Sequence, residues 1–125
     1  MGQHKILQPS ADHPITVEPT AGHVVVRMNG EVVADTRSAL TLRESTYPAV
    51  QYIPMGDVVQ HGLSCTTTTT YCPYKGIATY YSVTAGDSTV DDAIWAYESP
   101  HSAVAEIAGH VAFYPDKADV SVTDD

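Results

Sequence analysis

Short segments in which apolar and polar residues alternate recur along the chain, and this period of two is typical of β-strands with one buried face. In residues 39–44 (ALTLRE), for example, Leu40 and Leu42 fall on one face of the predicted strand. Val appears 15 times and Thr 14 times, against 4 Leu, and β-branched residues favour sheet over helix. Further strands are predicted over residues 15–18, 23–28, 31–35, 50–53, 65–71, 77–83, 90–98 and 111–114.

Three connections between these strands have recognisable turn or loop chemistry. Asn29-Gly30 separates the runs HVVVRM and EVVAD, and a type I′ hairpin turn needs the positive φ that Asn and Gly tolerate. Residues 72–76 (CPYKG) contain the Pro and Gly of a second turn. Residues 54–63 are expected to be a loop with at most one helical turn, around residues 57–60.

Only one segment of the sequence has both the start and the stop signals of a helix. Ser99 suits the N-cap, Pro100 suits the first helical position, and Gly109 suits a left-handed exit. A short helix is therefore predicted over residues 100–108.

The length of 125 residues is enough for one domain, and the predicted elements make that domain all-β with one short helix. We expect residues 14–115 to form the domain. Residues 1–13 are expected to be a flexible N-terminal arm. Residues 116–125, which include Asp116, Asp119 and two terminal aspartates, are expected to be a solvated acidic tail.

The charge balance argues against two classes of partner. The chain carries 6 Lys and Arg against 15 Asp and Glu, a formal net charge of −9, whereas nucleic acids and anionic membranes attract basic surfaces. No apolar run approaches the roughly 20 residues of a membrane span. Residues 1–10 lack the apolar stretch of a secretory signal, so we expect a cytoplasmic protein.

His61, Cys65 and Cys72 are residue types that bind zinc, but their spacing does not favour a site. Structural zinc sites take four ligands, commonly with two Cys separated by two to four residues. In an extended strand, Cys65 and Cys72 would lie about 23 Å apart at ~3.3 Å per residue. That separation also excludes a disulfide between them. No metal and no cofactor is predicted, and free thiols are typical of a reducing compartment.

The turn at residues 72–76 has two interpretations. A neighbouring cation favours the thiolate, so Cys72 is a candidate nucleophile and Lys75 a candidate acid–base group. Alternatively, the Pro and Gly set the backbone angles of the turn while Cys72 fills a small apolar gap. The sequence contains none of the common catalytic signatures GxSxG, GxxxxGK[ST], HExxH or GxGxxG.

Two further pairs of residues are candidates for ligand binding. Arg37 and Lys75 carry positive charge that would suit a carboxylate or phosphate, although Arg37 could equally pair with a carboxylate such as Glu44. Trp95 and Tyr97 are two residues apart on a predicted strand and therefore share a face. That aromatic face is either part of the core or a wall on which a flat ligand stacks.

The order of several motifs along the chain resembles that of a known family. Residues 34–40 (ADTRSAL) are followed by Glu44, Tyr47-Pro48, YIP at 52–54, CPYKG at 72–76, Ala78, Tyr80, WAY at 95–97 and AFYP at 112–115. Over about residues 13–115, this order resembles the uncharacterised bacterial family known as domain of unknown function 427, which is labelled nucleotidyltransferase-like.

The resemblance implies a fold of the β-tent or Mss4-like type, in which two small antiparallel sheets meet around a cleft. Some relatives in that broad fold group hold zinc through paired CxxC motifs, which this sequence lacks, so the metal does not carry over. Polymerase-type nucleotidyl transfer needs clustered carboxylates to hold Mg²⁺. The adjacent acids of this sequence, Asp91-Asp92 and Asp124-Asp125, are placed at a turn and in the tail.

We expect a domain that binds a small anionic or aromatic ligand in a cleft. Arg37 and Lys75 would neutralise the ligand, Glu44 would orient Arg37, and Trp95 and Tyr97 would stack. The predicted cleft combines Arg37, Glu44, Tyr47, Cys72, Lys75, Trp95 and Tyr97. Two alternatives stay open: an enzyme, either based on Cys72 and Lys75 or nucleotidyltransferase-like, and a protein-interaction module.

Overall fold

Residues 5–124 are described by a computed structural model, and regular structure in this part of the chain is almost entirely β. The predicted all-β fold is confirmed. The strands are β1 (Ile15–Pro19), β2 (His23–Met28), β3 (Glu31–Thr36), β4 (Leu40–Glu44), β5 (Val50–Pro54), β6 (Leu63–Cys72), β7 (Gly76–Ala85), β8 (Ser88–Ala96), β9 (His110–Phe113) and β10 (Asp119–Thr123). Two 3-10 helices, Met55–Asp57 and Ser102–Ile107, complete the described elements.

The strands form two antiparallel sheets of unequal size. The larger sheet has seven strands in the order β1-β4-β5-β9-β8-β7-β6, and the smaller has three in the order β10-β2-β3. Two antiparallel sheets therefore build the domain, and the β-tent or Mss4-like type stays a prediction.

The hairpin between β2 and β3 has the predicted turn. Asn29 and Gly30 have φ values of 52° and 78°, which are the left-handed values that a type I′ turn requires. Met28 pairs with Glu31, so the two-residue connection is closed by the ladder itself. Cys72 likewise pairs with Gly76 across the second predicted turn, between β6 and β7.

A short helix lies within the predicted range of residues 100–108, but it starts later than the predicted cap at Ser99 and Pro100. Ser102–Ile107 is 3-10 helix with non-helical backbone at Val104, and its N-cap is His101, not Ser99. The buried residues of this segment, Val104 and Ile107, lie three apart, which matches the three-residue period of a 3-10 helix. Gly109 follows with a φ of 77°, the left-handed exit that the sequence predicted.

The two chain ends have more structure than their composition suggested. Residues 119–123, assigned from the sequence to an acidic tail, form β10 and pair with β2. Within the predicted arm, the Leu7 backbone N–H donates to Pro73 O (3.0 Å) and the Tyr71 hydroxyl donates to Lys5 O (2.6 Å). Residues 1–4 of the predicted arm and residue 125 of the predicted tail lie outside the described residues.

Two apolar cores lie on the larger sheet. The first core contains residues of both sheets, among them Val24 and Val26 from β2 and Ile53 and Val111 from the larger sheet, and so it joins the sheets. The second core contains no residue of the smaller sheet. Its members are Leu42, Tyr52, Ala78, Tyr80, Tyr97, Val104, Ile107 and Ala112.

The larger sheet is split between β5 and β9. Their ladder has only two residue pairs, Ile53 with Val111 and Pro54 with His110. Beyond these pairs, the earlier part of β5 and the later part of β9 are not paired with each other, and they pair instead with β4 and β8. This split positions the cavities described below.

One outer strand of the larger sheet, β6, is bound to β8 through two threonine side chains. Its register against β7 shifts between Cys65 and Thr69. There, Thr66 and Thr68 donate from Oγ1 to the two carboxylate oxygens of Asp92, at 2.7 Å each. These hydrogen bonds hold the pKa of Asp92 below its ordinary value of 3.8 and tie β6 to β8.

Within the described residues, no helix has the length and apolar character needed to cross a membrane.

Candidate functional site

A cavity of about 230 Å³ lies beside the split between β5 and β9, and we call it the tyrosine cavity. Five tyrosines and one tryptophan form most of its wall, and a single Lys–Glu pair supplies its charge. Its lining residues are Leu42, Glu44, Tyr47, Pro48, Val50, Tyr52, Lys75, Tyr80, Trp95, Tyr97 and Tyr114.

The turn at residues 72–76 places Lys75 in this cavity. The Lys75 backbone N–H donates to Cys72 O at 3.2 Å, and Lys75 O accepts from the His101 backbone N–H at 2.9 Å. Gly76 completes the turn with a φ of 116° that an L side chain rarely adopts. The lysine side chain is only 10% exposed, and Nζ donates to Glu44 Oε1 at 2.5 Å.

Glu44, at the end of β4, holds two partners at once. Its Oε1 accepts from Lys75, and its Oε2 lies 2.8 Å from His13 Nε2. Burial by itself would raise the pKa of Glu44, but hydrogen bonds and charge from Lys75 and His13 outweigh burial and hold that pKa below its ordinary value of 4.5. His13 also stacks on Tyr74, with ring centroids 4.1 Å apart, so the ion pair is fixed from the outside by an aromatic contact.

The aromatic wall is a connected set of rings. The Trp95 Nε1–H donates to the Tyr52 hydroxyl at 3.1 Å, with the two rings edge to face. The Trp95 ring also lies 4.5 Å from that of Tyr114, which in turn stacks on Tyr80 at 6.4 Å. Since Trp95 comes from β8 and Tyr52 from β5, their hydrogen bond bridges the two sides of the split.

Several hydrogen-bond donors of the cavity have no acceptor among the described residues. Lys75 Nζ has three N–H donors, and among the described residues only Glu44 accepts from it. The Tyr52 oxygen accepts from Trp95, which leaves the Tyr52 O–H as a donor. The Tyr97 hydroxyl has no hydrogen-bond partner among the described residues. Burial raises the pKa of both tyrosines above the ordinary value of 10.0, so both keep their protons at neutral pH.

The structure brings together five of the seven residues that the sequence placed in a cleft. Those five are Glu44, Tyr47, Lys75, Trp95 and Tyr97. Arg37 follows β3 in the smaller sheet, is exposed and does not line the tyrosine cavity. Glu44 therefore orients Lys75 and not Arg37, which corrects the role assigned to it from the sequence. Cys72 is half-buried against the second core, behind the lining residues.

Four further side chains with polar groups take part in the site without having been predicted there: His13, Tyr52, Tyr80 and Tyr114. The three tyrosines belong to the family motifs quoted above, which carried no role for them. Tyr80 alternates with Ala78 along β7, and Tyr114 stands directly after β9. Local spacing could have shown that these rings face one side of a strand, but not that the strands meet.

The family comparison agrees with this arrangement of motifs. Residues 16–124 match the family described as a domain of unknown function, DUF427. The chain belongs to the DUF427 family. A comparison with curated protein sequences finds no match.

The nucleotidyltransferase-like label of DUF427 raises the question of a metal site. Nucleotidyl transfer of the polymerase type uses clustered carboxylates to hold Mg²⁺ against the triphosphate. Across residues 5–124 of this DUF427 protein, no three His, Cys, Asp or Glu side chains come close enough to hold a metal ion. Asp91 and Asp92 lie on β8, where Asp92 is bound by Thr66 and Thr68. These residues do not fit a magnesium cradle of that kind.

The two cysteines of the DUF427 protein differ in accessibility, and this difference tests the nucleophile hypothesis. Cys65 is exposed and Cys72 is half-buried. With Cys65→Ser removing the exposed thiol, we expect iodoacetamide at neutral pH to alkylate Cys72 several-fold more slowly than free cysteine, because the core covers part of its sulfur. Mass spectrometry over time measures the rate, and Cys72→Ser, which leaves Cys65, is the control. Faster reaction of Cys72 than of free cysteine would contradict this assignment.

Proposed function

We propose that this DUF427 protein binds a small, flat molecule that carries a carboxylate or a similar acceptor-rich group, with the tyrosine cavity as its binding site. The flat part would lie against the ring of Trp95 and its neighbours. The acceptor group would lie at the end of the cavity that holds Lys75. Aromatic walls with a few convergent polar groups are the usual composition of a small-molecule site.

The donors that face this cavity without a protein acceptor in the described part of the chain are the observation that carries this proposal. They are the spare N–H groups of Lys75 and the hydroxyl groups of Tyr52 and Tyr97, and a bound acceptor group would satisfy them in place of water. Glu44 accepts from Lys75 through Oε1 and lies beside His13 through Oε2, and it accepts from neither tyrosine. A bound carboxylate would accept from several of these donors together, and hydrogen bonds to charged groups are stronger than neutral ones.

The size of the cavity agrees with a small occupant. Its volume of about 230 Å³ corresponds to about eight water molecules at ~30 Å³ each. A single aromatic ring with one carboxylate fits this space, whereas a dinucleotide does not. Tyr47, at 63% exposed, marks the side of the cavity that is open to solvent.

Benzoate is the simplest probe of the proposed function. The chain has one Trp, and Trp95 lines the cavity, so its fluorescence reports occupation without a label. We expect benzoate to change this fluorescence with saturation, benzamide to bind more weakly, and benzylamine not to bind, because an ammonium group meets the charge of Lys75.

The variant Lys75→Met tests the assigned role of the ammonium group. Loss of one charge-assisted hydrogen bond, worth about 1.5–3 kcal/mol, should weaken benzoate about tenfold or more. Arg43→Met is the matched control, because Arg43 is exposed, lies one residue from Glu44 and does not line the cavity. Equal loss of affinity in the two variants, or equal binding of benzoate and benzylamine, would overturn the proposal.

A further inference from the structure

A second cavity, of about 490 Å³, adjoins the tyrosine cavity, and we call it the apolar cavity. The two cavities share Tyr47, Pro48, Val50 and Trp95 as lining residues. Trp95 therefore borders both, and the exposed Tyr47 stands at the rim of both.

The split between β5 and β9 explains why the cavities are adjacent. If the two-pair ladder continued, Val50 and Gln51 of β5 would lie opposite Tyr114 and Phe113. These residues do not pair with each other. Val50 lines both cavities, Tyr114 lines the tyrosine cavity, and Phe113 lines the apolar cavity. The cavities are thus two sides of one opening in the larger sheet.

The chemistry of the two sides is different. The apolar cavity has no charged side chain in its wall, and Gln51 is its only side chain that carries an amide. Its far wall is the edge strand β10, which contributes Val120 and Val122. Val122 is 46% exposed, although it faces this apolar space. An apolar wall beside a charged, donor-rich end suits a molecule with one polar and one apolar end.

We infer that the ligand is amphiphilic: an aromatic acid that carries an apolar substituent. This inference rests on the proposed function. The acid group lies by Lys75, the ring lies against Trp95, and the apolar substituent passes through the split into the apolar cavity. There it covers Val122 and Phe113, which gives the exposed apolar surface of β10 an occupant.

A series of 4-alkylbenzoates, from methyl to hexyl, tests the inference through the fluorescence of Trp95. Each added CH₂ that enters the apolar cavity should tighten binding about fourfold, because burying one CH₂ contributes about 0.8 kcal/mol. Val122→Asp places a charge in that cavity. We expect this variant to abolish the gain with chain length while leaving the affinity for unsubstituted benzoate unchanged.

Val32→Asp is the matched control for this experiment. Val32 is a comparably exposed valine (43%) on β3 of the same small sheet, and it lines neither cavity. It should keep the full dependence on chain length. Circular dichroism and thermal unfolding are used to check that both variants fold.

The outcomes separate this inference from the proposed function. If benzoate binds but longer chains bind no tighter, the inference is wrong and the proposed function stands. If longer chains bind tighter and Val122→Asp does not reduce the gain, the substituent lies elsewhere and the inference is also wrong. If benzoate fails to bind and no alkylbenzoate binds, both fail. A gain with chain length that Val122→Asp removes and Val32→Asp retains supports the inference.

Discussion

Replacing Glu44 by Gln should lower the free energy of unfolding by about 2–4 kcal/mol at pH 7, because the substitution leaves the Lys75 ammonium buried without a counter-charge. The side chains of Lys75 and Glu44 are only 10% and 14% exposed, so solvent replaces little of the lost attraction. Lys75→Met should also destabilise, since it leaves Glu44 with His13 alone. Urea unfolding followed by Trp95 fluorescence measures each loss.

The double variant Glu44→Gln/Lys75→Met tests whether the loss comes from the pair. With both charges removed, no ion stays buried without a partner, so the double variant should lose less stability than the sum of the singles by at least ~1 kcal/mol. Additive losses would contradict a coupled ion pair. Arg43→Met, already used as a binding control, should have an effect of less than ~0.5 kcal/mol.

The same pair predicts how stability responds to acid. Because partners hold the pKa of Glu44 in the folded state below its ordinary value of 4.5, the carboxylate contributes its full stabilisation above that value. The contribution is lost as the pH falls through the folded-state pKa. The difference in stability between wild type and Glu44→Gln should therefore be constant at neutral pH and shrink below about pH 4.5. A difference that grows on acidification would contradict the assigned direction of the shift.

Gly22→Ala is the second change with a large expected effect. Gly22 has a φ of 110°, and a Cβ atom built on it would lie 2.0 Å from the backbone oxygen of Thr123, the last residue of β10. Since that atom belongs to backbone, it cannot rotate away. The alanine must push β10 off β2, and we expect a loss of about 3 kcal/mol or more from this strain and lost pairing.

Gly30→Ala is the matched control for Gly22→Ala. Gly30 also has a positive φ, 78°, but nothing lies within 4 Å of the position its Cβ would take. It should therefore cost only the backbone penalty of about 1–2 kcal/mol. Faster hydrogen exchange at residues 119–123 in Gly22→Ala, and not in Gly30→Ala, would locate the damage in β10. Equal losses in the two variants would show that the contact with Thr123 has no effect.

The parts of the fold that follow from local chemistry could be predicted from the sequence. The alternation in residues 39–44 and the Asn29-Gly30 turn depend only on neighbouring residues, and β4 and the β2–β3 hairpin agree with them. The helix was found within its predicted range but not at its predicted start, because Ser99, Pro100 and Gly109 are signals for helix ends, whereas the length and type of a helix depend on what the segment packs against. Only Val104 and Ile107 are buried there.

The candidate site was predictable residue by residue but not as a space. Trp95 and Tyr97 share a face by alternation, and the charge of Lys75 predicted that it would neutralise an anionic ligand. The cavity itself exists because the ladder between β5 and β9 stops after two pairs, which is a contact between segments more than fifty residues apart. Arg37 was predicted to line the cleft because of its positive charge. Charge alone does not show next to which sheet a residue lies, and Arg37 follows β3 of the smaller sheet.

The strand β10 was missed for a different reason. Val120 and Val122 alternate with polar residues, the same pattern that identified the other strands. The surrounding aspartates are typical of a solvated tail, whereas the alternation of residues 119–123 is typical of a strand. The register of β10 against β2, from Asp119 with Arg27 to Thr123 with His23, shows that two alternating apolar residues suffice when a partner edge is available.

The outer strand β6 has a consequence for aggregation between copies of the molecule. This strand has ten residues, with five threonines in succession. Outer strands of such high β-propensity are prone to pair with strands of neighbouring chains and to form fibrils. The register of β6 against β7 shifts between Cys65 and Thr69, where Thr66 and Thr68 bind Asp92, and an irregularity of this kind bends a strand. A straight strand from another chain can pair with only part of a bent edge. The irregularity in β6 should therefore limit aggregation through this strand.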